Sequence, residues 1–229
     1  MLVGFGLIGS AVISAYMRSQ APLHESVWRP APEPTPISPT AVPEEDKVIN
    51  ASAPLRLELP TIGFDSAALV PEGQSNPILE WTQAMDDANG GFVRPPDPWE
   101  SSMVYDSTVA GGGLPGTNVA TTPRILAHTS PWEEPVLGAF NFLPDLKIGD
   151  PAAITTAEGR LCYKVIATET VLKDLLNVVF DKKEVRPGIV LAISCNRPED
   201  LKGWFATTEN RVVTLQLDQQ ATNAGGCSW

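Results

Sequence analysis

The chain has 229 residues, 43% of them apolar, with 16 Lys and Arg against 27 Asp and Glu, for a formal charge of -11. That length fits one domain with appendages. The charge excludes two partner classes, because nucleic-acid phosphates and anionic lipid surfaces both need clustered Lys and Arg.

Leu2 to Met17 is an uncharged run of apolar and small residues. It is short for a span of about 20 residues and long for the apolar part of a cleaved leader. Pro22 directly follows the one small-residue pair with cleavage spacing, Ser19 and Ala21. The expectation is an uncleaved membrane anchor over residues 1–18. Residues 19–52 hold seven prolines among Ala, Glu, Thr and Ser. Such a segment buries too little apolar surface to order itself and acts as an extended spacer. With the anchor it reads as a stalk carrying an extracytoplasmic domain.

The folded domain is expected over residues 53–219, with a flexible tail at 220–229. Leu55, Leu57 and Leu59 alternate with Arg56 and Glu58 in a half-buried strand that Pro60 ends. Ala67–Pro71 is a second strand candidate. Residues 83–122 read as one long loop, of the kind that is often functional. Further strands are expected at Arg124–Ala127, Ala152–Thr156, Arg160–Thr170, Ile189–Ser194 and Arg211–Leu217. Phe140–Leu146 reads as a short helix or turn, and Lys173–Phe180 as helical or irregular. Turn residues separate the strands at Gly149-Asp150, Glu158-Gly159 and Pro187-Gly188. Many short strands with little helix predict an all-β, closed or nearly closed barrel.

Chemistry in this domain is scarce. Of two histidines, His24 falls in the stalk, and His128 ends the apolar run Arg124–Ala127 before the polar Thr129-Ser130-Pro131. Of three cysteines, Cys195 ends the run Ile189–Ser194. A strand mouth holds a nucleophile rigidly beside a reachable loop. A lone cysteine is more often a packing residue. A Cys and a His at two strand ends, however, can share a proton. Cys162 sits inside a strand and reads as packing. Cys227 falls in the terminal Gly-Gly-Cys-Ser-Trp, and nothing in the spacing argues for a bond between these two. The intermediates of acyl transfer need a fixed donor for the oxyanion. After Cys195 the basic residues are Arg197, Lys202 and Arg211. Arg211 opens the last strand, and Arg197 is the fallback. No metal-ligand set is visible, and no cofactor is expected.

The order His, Cys, Arg at strand termini resembles the sortases, extracytoplasmic cysteine transpeptidases of bacteria, and among them the actinobacterial, class E/F-like branches. Leu55-Arg-Leu-Glu-Leu-Pro-Thr-Ile-Gly63 resembles the family's opening strand. Pro115-Gly116 and Ile125-Leu126-Ala127-His128 resemble the segment that leads to its histidine. Phe140-x-x-Leu143-x-x-Leu146-x-x-Gly149-Asp150 matches the next motif at every named position. Ile193-Ser194-Cys195 and Asn210-Arg211-Val212-Val213 resemble the cysteine and arginine strands. Ala127 stands where the family has Gly, Ser194 where it has Thr, and residues 83–122 are longer than usual.

The resemblance implies a closed eight-stranded β-barrel. It implies cleavage of a Leu-Pro-x-Thr-Gly-like or Leu-Ala-x-Thr-Gly-like sorting signal between Thr and Gly. Cys195 would form the thioacyl bond, and His128 would act as acid and base. Arg211 would hold peptide carbonyls or the oxyanion, and Ser194, Ala127 and Arg197 would line the substrate. The partners would be secreted proteins bearing the signal, and a peptidoglycan-precursor or pilin amine. Two rivals remain. An L,D-transpeptidase would have Gly directly before the cysteine, where Ser194 stands. A silent peptide-binding barrel would not need all three catalytic residue types.

Overall fold

The computed structural model describes residues 45–70, 76–88, 94–98, 100–107, 113–119, 121–130, 137–176, 187–196, 207–227 and 229. The chain divides into two units, Met1–Pro43 and Glu44–Trp229. The expected anchor at Leu2–Met17 and most of the expected stalk lie outside the described residues. Among the described residues no helix is long and apolar enough to cross a membrane.

The second unit is all-β, built on one curled sheet. Its strands are β1 (Pro54–Leu59), β2 (Phe64–Asp65), β3 (Ile78–Glu80), β4 (Met103–Asp106), β5 (Arg124–Ala127), β6 (Pro151–Thr156), β7 (Gly159–Leu172), β8 (Ile189–Cys195) and β9 (Glu209–Leu217). Among the described residues two short α-helices, α1 (Gln83–Ala88) and α2 (Gln219–Asn223), accompany them. The order across the sheet is β2-β1-β6-β7-β9-β8-β5-β4-β3. Only β3–β4 and β5–β8 pair in parallel. The sheet curls until β1 lies beside β3.

Against the expected closed ring of eight strands, the described residues form nine strands in an open hydrogen-bonded order. Two short segments, β2 and β3, account for part of the difference. The second expected strand, Ala67–Pro71, is instead a 3-10 turn at Ser66–Leu69, capped by the Asp65 carboxylate accepting from Ala67 N. The expected long loop contains α1 and a wholly buried strand, β4. Asp106 hides β4 in the sequence, because a strand carrying a charge does not read as core. The charge is matched in register: Asp106 lies opposite Arg124, and their side chains approach to 3.3 Å. Burial holds the Asp106 carboxyl above its usual range against the opposing pull of Arg124, and Asp86 adds to the rise.

Side chains alternate between two faces of each strand. One face fills the main core, with Leu57, Leu59, Ile125, Ala127, Ile154, Leu161, Val190, Ala192, Val213 and Leu215. The other face of the β5–β8–β9 region carries a separate buried cluster of Val171, Ile189, Leu191, Ile193 and Val212, with Leu126 and Leu176 against it. The motif Phe140–Asp150 closes one end of the main core. Phe140, Leu143 and Leu146 are all buried in it, each worth about 1.5–3 kcal/mol of apolar transfer. Gly149 turns the chain at φ 95, which favours glycine, and Asp150 accepts from Lys147 N at 2.7 Å.

The domain edges also differ from expectation. Ile49, placed in the disordered stalk, is buried in the core and bonded through its backbone to Thr117. The segment expected to be a flexible tail begins with α2, whose Thr222 hydroxyl accepts from Cys162 N. Cys227 is disulfide-bonded to Cys162 with Cα atoms 5.3 Å apart. Trp229 stacks on the Arg160 guanidinium at 4.9 Å. The fold brings the chain end across β7, and a 65-residue separation shows nothing of that in sequence.

Candidate active site

β5 and β8 run in parallel, and Leu126 is in register with Ile193. Two residues further along, His128 falls beside Cys195. Adjacent strands lie about 4.8 Å apart, so the two side chains emerge as neighbours. They share a face. Cys195 alternates with Leu191 and Ile193, and His128 with Leu126, all on the side of the smaller cluster. Cys195 is a free, partly exposed thiol. The Thr129 hydroxyl donates to the Cys195 carbonyl at 3.3 Å and ties the two strand ends together.

The strand end at His128 is held by the turn that follows it. The His128 carbonyl accepts from Phe140 N at 3.0 Å, so the Phe140–Asp150 motif fixes the end of β5. Asn141 Oδ1 accepts from Ser130 N at 2.6 Å, and Ser130 Oγ accepts from Gly138 N at 2.9 Å. A Cβ on Gly138 would lie 2.7 Å from the His128 carbonyl oxygen. Glycine is therefore the residue that lets this turn lie flat against the end of β5.

The ring itself meets the long 83–122 segment. His128 Nε2 lies 2.7 Å from the Pro95 carbonyl. A carbonyl only accepts, so Nε2 carries the proton and Nδ1 is the acceptor of the neutral ring. Burial, the largest influence, pushes the His128 pKa down; the Pro95 hydrogen bond and Asp97 oppose it, and Arg94 adds to the fall. The ring is thus biased toward the neutral, proton-accepting form. Nothing in the sequence singled out Pro95 or Arg94.

Arg211 goes elsewhere. Its register partner on β8 is Ser194, and on β7 Thr170. Alternation with Val213 and Leu215 puts it on the main-core face, opposite Cys195 and His128. Its Nη2 donates to the Pro144 carbonyl and to Thr168 Oγ1, both at 3.2 Å. It lines an open cleft of about 690 Å³ with Thr168 and the Pro144–Ile148 segment. Ser194 and Ala127 share that face. Ser194 is 3% exposed with its hydroxyl on the Cys195 carbonyl, and Ala127 is packed in the main core. Arg197 lies outside the described residues. The register therefore sets His128 alongside Cys195 and turns Arg211 to the other face of the sheet.

No protein-family model matches the chain, and no curated protein does. Solved structures do. Sortase A from Corynebacterium diphtheriae is 20% identical at a TM-score of 0.48, over 73% of this chain and 61% of that one. Group B Streptococcus Pilus Island 1 sortase C2 is 16% identical at 0.47, over 74% of this chain and 76% of that one. Sortase C-1 from Actinomyces oris is 18% identical at 0.46, over 71% and 72%. The chain thus spans less than two thirds of the length of the Corynebacterium structure.

Proposed function

We propose that this chain is a sortase-type cysteine transpeptidase acting outside the cytoplasm. The observation that carries the reading is the placement of Cys195 and His128 at the ends of adjacent parallel strands, in register and on one face. The motif from Phe140 to Asp150, which anchors that histidine, adds to it. In the proposed reaction the Cys195 thiol passes its proton to His128 Nδ1 and attacks the Thr carbonyl of a Leu-Pro-x-Thr-Gly-like or Leu-Ala-x-Thr-Gly-like signal. The Thr–Gly bond then breaks, and His128 returns the proton to the departing amine. An amine from a cell-wall precursor or a pilin lysine takes the acyl group from sulfur.

The Cys162–Cys227 disulfide supports an extracytoplasmic setting, since such bonds persist in oxidising compartments. Leu2–Met17 would anchor the chain there, followed by the proline-rich stalk. Incubating the full chain with a sorting-signal peptide and an amine acceptor should yield a thioacyl adduct on Cys195 by mass spectrometry. A broad peptide panel that leaves Cys195 unmodified would favour a silent binding barrel.

The cationic role in this proposal is divided between Arg211 and Arg197. For Arg211 to reach substrate beside Cys195 it must leave Pro144 and Thr168 and come round the strand end. Comparing Arg211→Ala with Arg197→Ala in peptide turnover decides the matter. The larger loss, of about 10²-fold or more for an electrostatic donor, marks the residue that contacts substrate. Equal, near-wild-type rates in both variants would remove arginine from the mechanism.

A further inference from the structure

The residue directly across from Cys195 is not an arginine. In the β8–β9 ladder Cys195 is paired with Asn210, and Ser194 with Arg211. Asn196 N donates to the Glu209 carbonyl at 2.9 Å, which makes that pair hydrogen-bonded. Hydrogen-bonded and non-hydrogen-bonded pairs alternate along an antiparallel ladder. Cys195 and Asn210 are therefore a non-hydrogen-bonded pair, whose Cα atoms lie about 4.5 Å apart with the side chains closest together. The pair two steps back, Ile193 and Val212, belongs to the smaller cluster. Asn210 thus points to the same side as Cys195 and His128.

Asn210 is also an amide without an occupation. It is 9% exposed, and its carboxamide has no hydrogen-bond partner among the described residues. Its backbone is fixed on both sides: Glu209 is bonded to Asn196 through main chain and side chain, and Arg211 is bonded to Pro144 and Thr168. A group held that way beside a nucleophile is prepared for a partner that arrives with the substrate.

We infer that Asn210 is the oxyanion donor of this site, its Nδ2–H directed at the oxygen of the carbonyl that Cys195 attacks. This rests on the acyl-transfer reading above. When sulfur bonds to the acyl carbon, the π pair of the C=O moves onto oxygen, and the thiol proton goes to His128. Asn210 donates a hydrogen bond to that oxygen and is itself unchanged. The pair returns to re-form C=O as the amine leaves with the proton from His128. Asn210 then occupies the place that the resemblance gives to an arginine, while the hydrogen bonds of Arg211 hold it on the other face.

The test uses the full chain with two acyl donors, a sorting-signal peptide and p-nitrophenyl acetate, which acylates a thiol without peptide recognition. Wild type, Asn210→Ala and Asn210→Asp are compared by the rate of thioester formation on Cys195. Alkylation of Cys195 by iodoacetamide, which has no oxyanion, serves as the control. Loss of a single oxyanion donor predicts acylation slowed by roughly 10²–10³-fold in both variants, with alkylation near the wild-type rate. The Asp variant keeps the side-chain shape, so a packing effect of Ala alone would leave it active. Acylation of either variant at the wild-type rate overturns the assignment. An equal fall in acylation and alkylation overturns it as well, since that marks a damaged nucleophile. If wild type takes acetyl from the ester but nothing from any peptide, the sorting-signal reading fails, and the ester still decides Asn210.

Discussion

Replacing His128 by alanine is expected to slow transpeptidation by roughly 10²–10⁴-fold, the usual contribution of a positioned acid–base group. Replacing Cys195 by alanine should abolish the adduct altogether. The size of the His128 effect follows from the register. The residue stands alongside Cys195 in the strand register, and Nδ1 is unprotonated because Nε2–H is committed to Pro95. No other imidazole is present in the folded domain to substitute for it. The direction of its pKa adds a pH signature. Burial and the Arg94 charge disfavour the imidazolium more than Pro95 and Asp97 favour it. The acid limb of turnover should therefore fall below the ordinary histidine value of about 6.5. Arg94→Ala removes a positive neighbour and should move that limb to higher pH. The same shift makes folding stability fall as pH drops below the ordinary value, since the unfolded chain takes up the proton first. Turnover of His128→Ala at the wild-type rate would sink the Cys–His assignment, and an acid limb that ignores Arg94→Ala would sink the account of the pKa.

The strands that carry His128 and Cys195 were legible because their residues were apolar and their ends polar. Arg124–Ala127 was placed to the residue, and β6, β7, β8 and β9 differ from expectation by one or two residues at an end. The ends of β5 and β8 were legible for a related reason: His128 and Cys195 stand where apolar runs stop. Buried order outside such runs was not legible. β4 carries Asp106, whose partner Arg124 lies on the next strand of the sheet, so only the register reveals that the two charges cancel. The face of Arg211 was also hidden. One residue decides whether a side chain faces Cys195 or the main core, and the loop between β8 and β9 gives no clue to the register. For the same reason nothing in the sequence distinguishes Asn210 from its neighbours on that strand. Pro95 is harder still, because a carbonyl that restrains a ring 33 residues away leaves no side-chain signature.

The other large effect is expected at the far side of the molecule. Converting both Cys162 and Cys227 to serine should lower unfolding free energy by about 4 kcal/mol, as the chain-entropy relation gives for a loop of this size. The loop spans 65 residues and includes β8, β9 and therefore Cys195. The bond is not the only tie at this end. Asp218 N donates to the Cys162 carbonyl at 2.7 Å, and the Thr222 hydroxyl accepts from Cys162 N at 3.0 Å. Asn223 Oδ1 accepts from Lys47 N at 2.9 Å, which links α2 to the chain entering the domain. These bonds should keep α2 in place in the native double variant, so its turnover should stay near wild type while its urea midpoint falls. The site depends on β5, β8 and β9, and none of their ladder pairings passes through Cys162. A midpoint unchanged by the double substitution would show that the closed loop does not restrict the unfolded chain. Lost turnover at full stability would show instead that the chain end acts on the site.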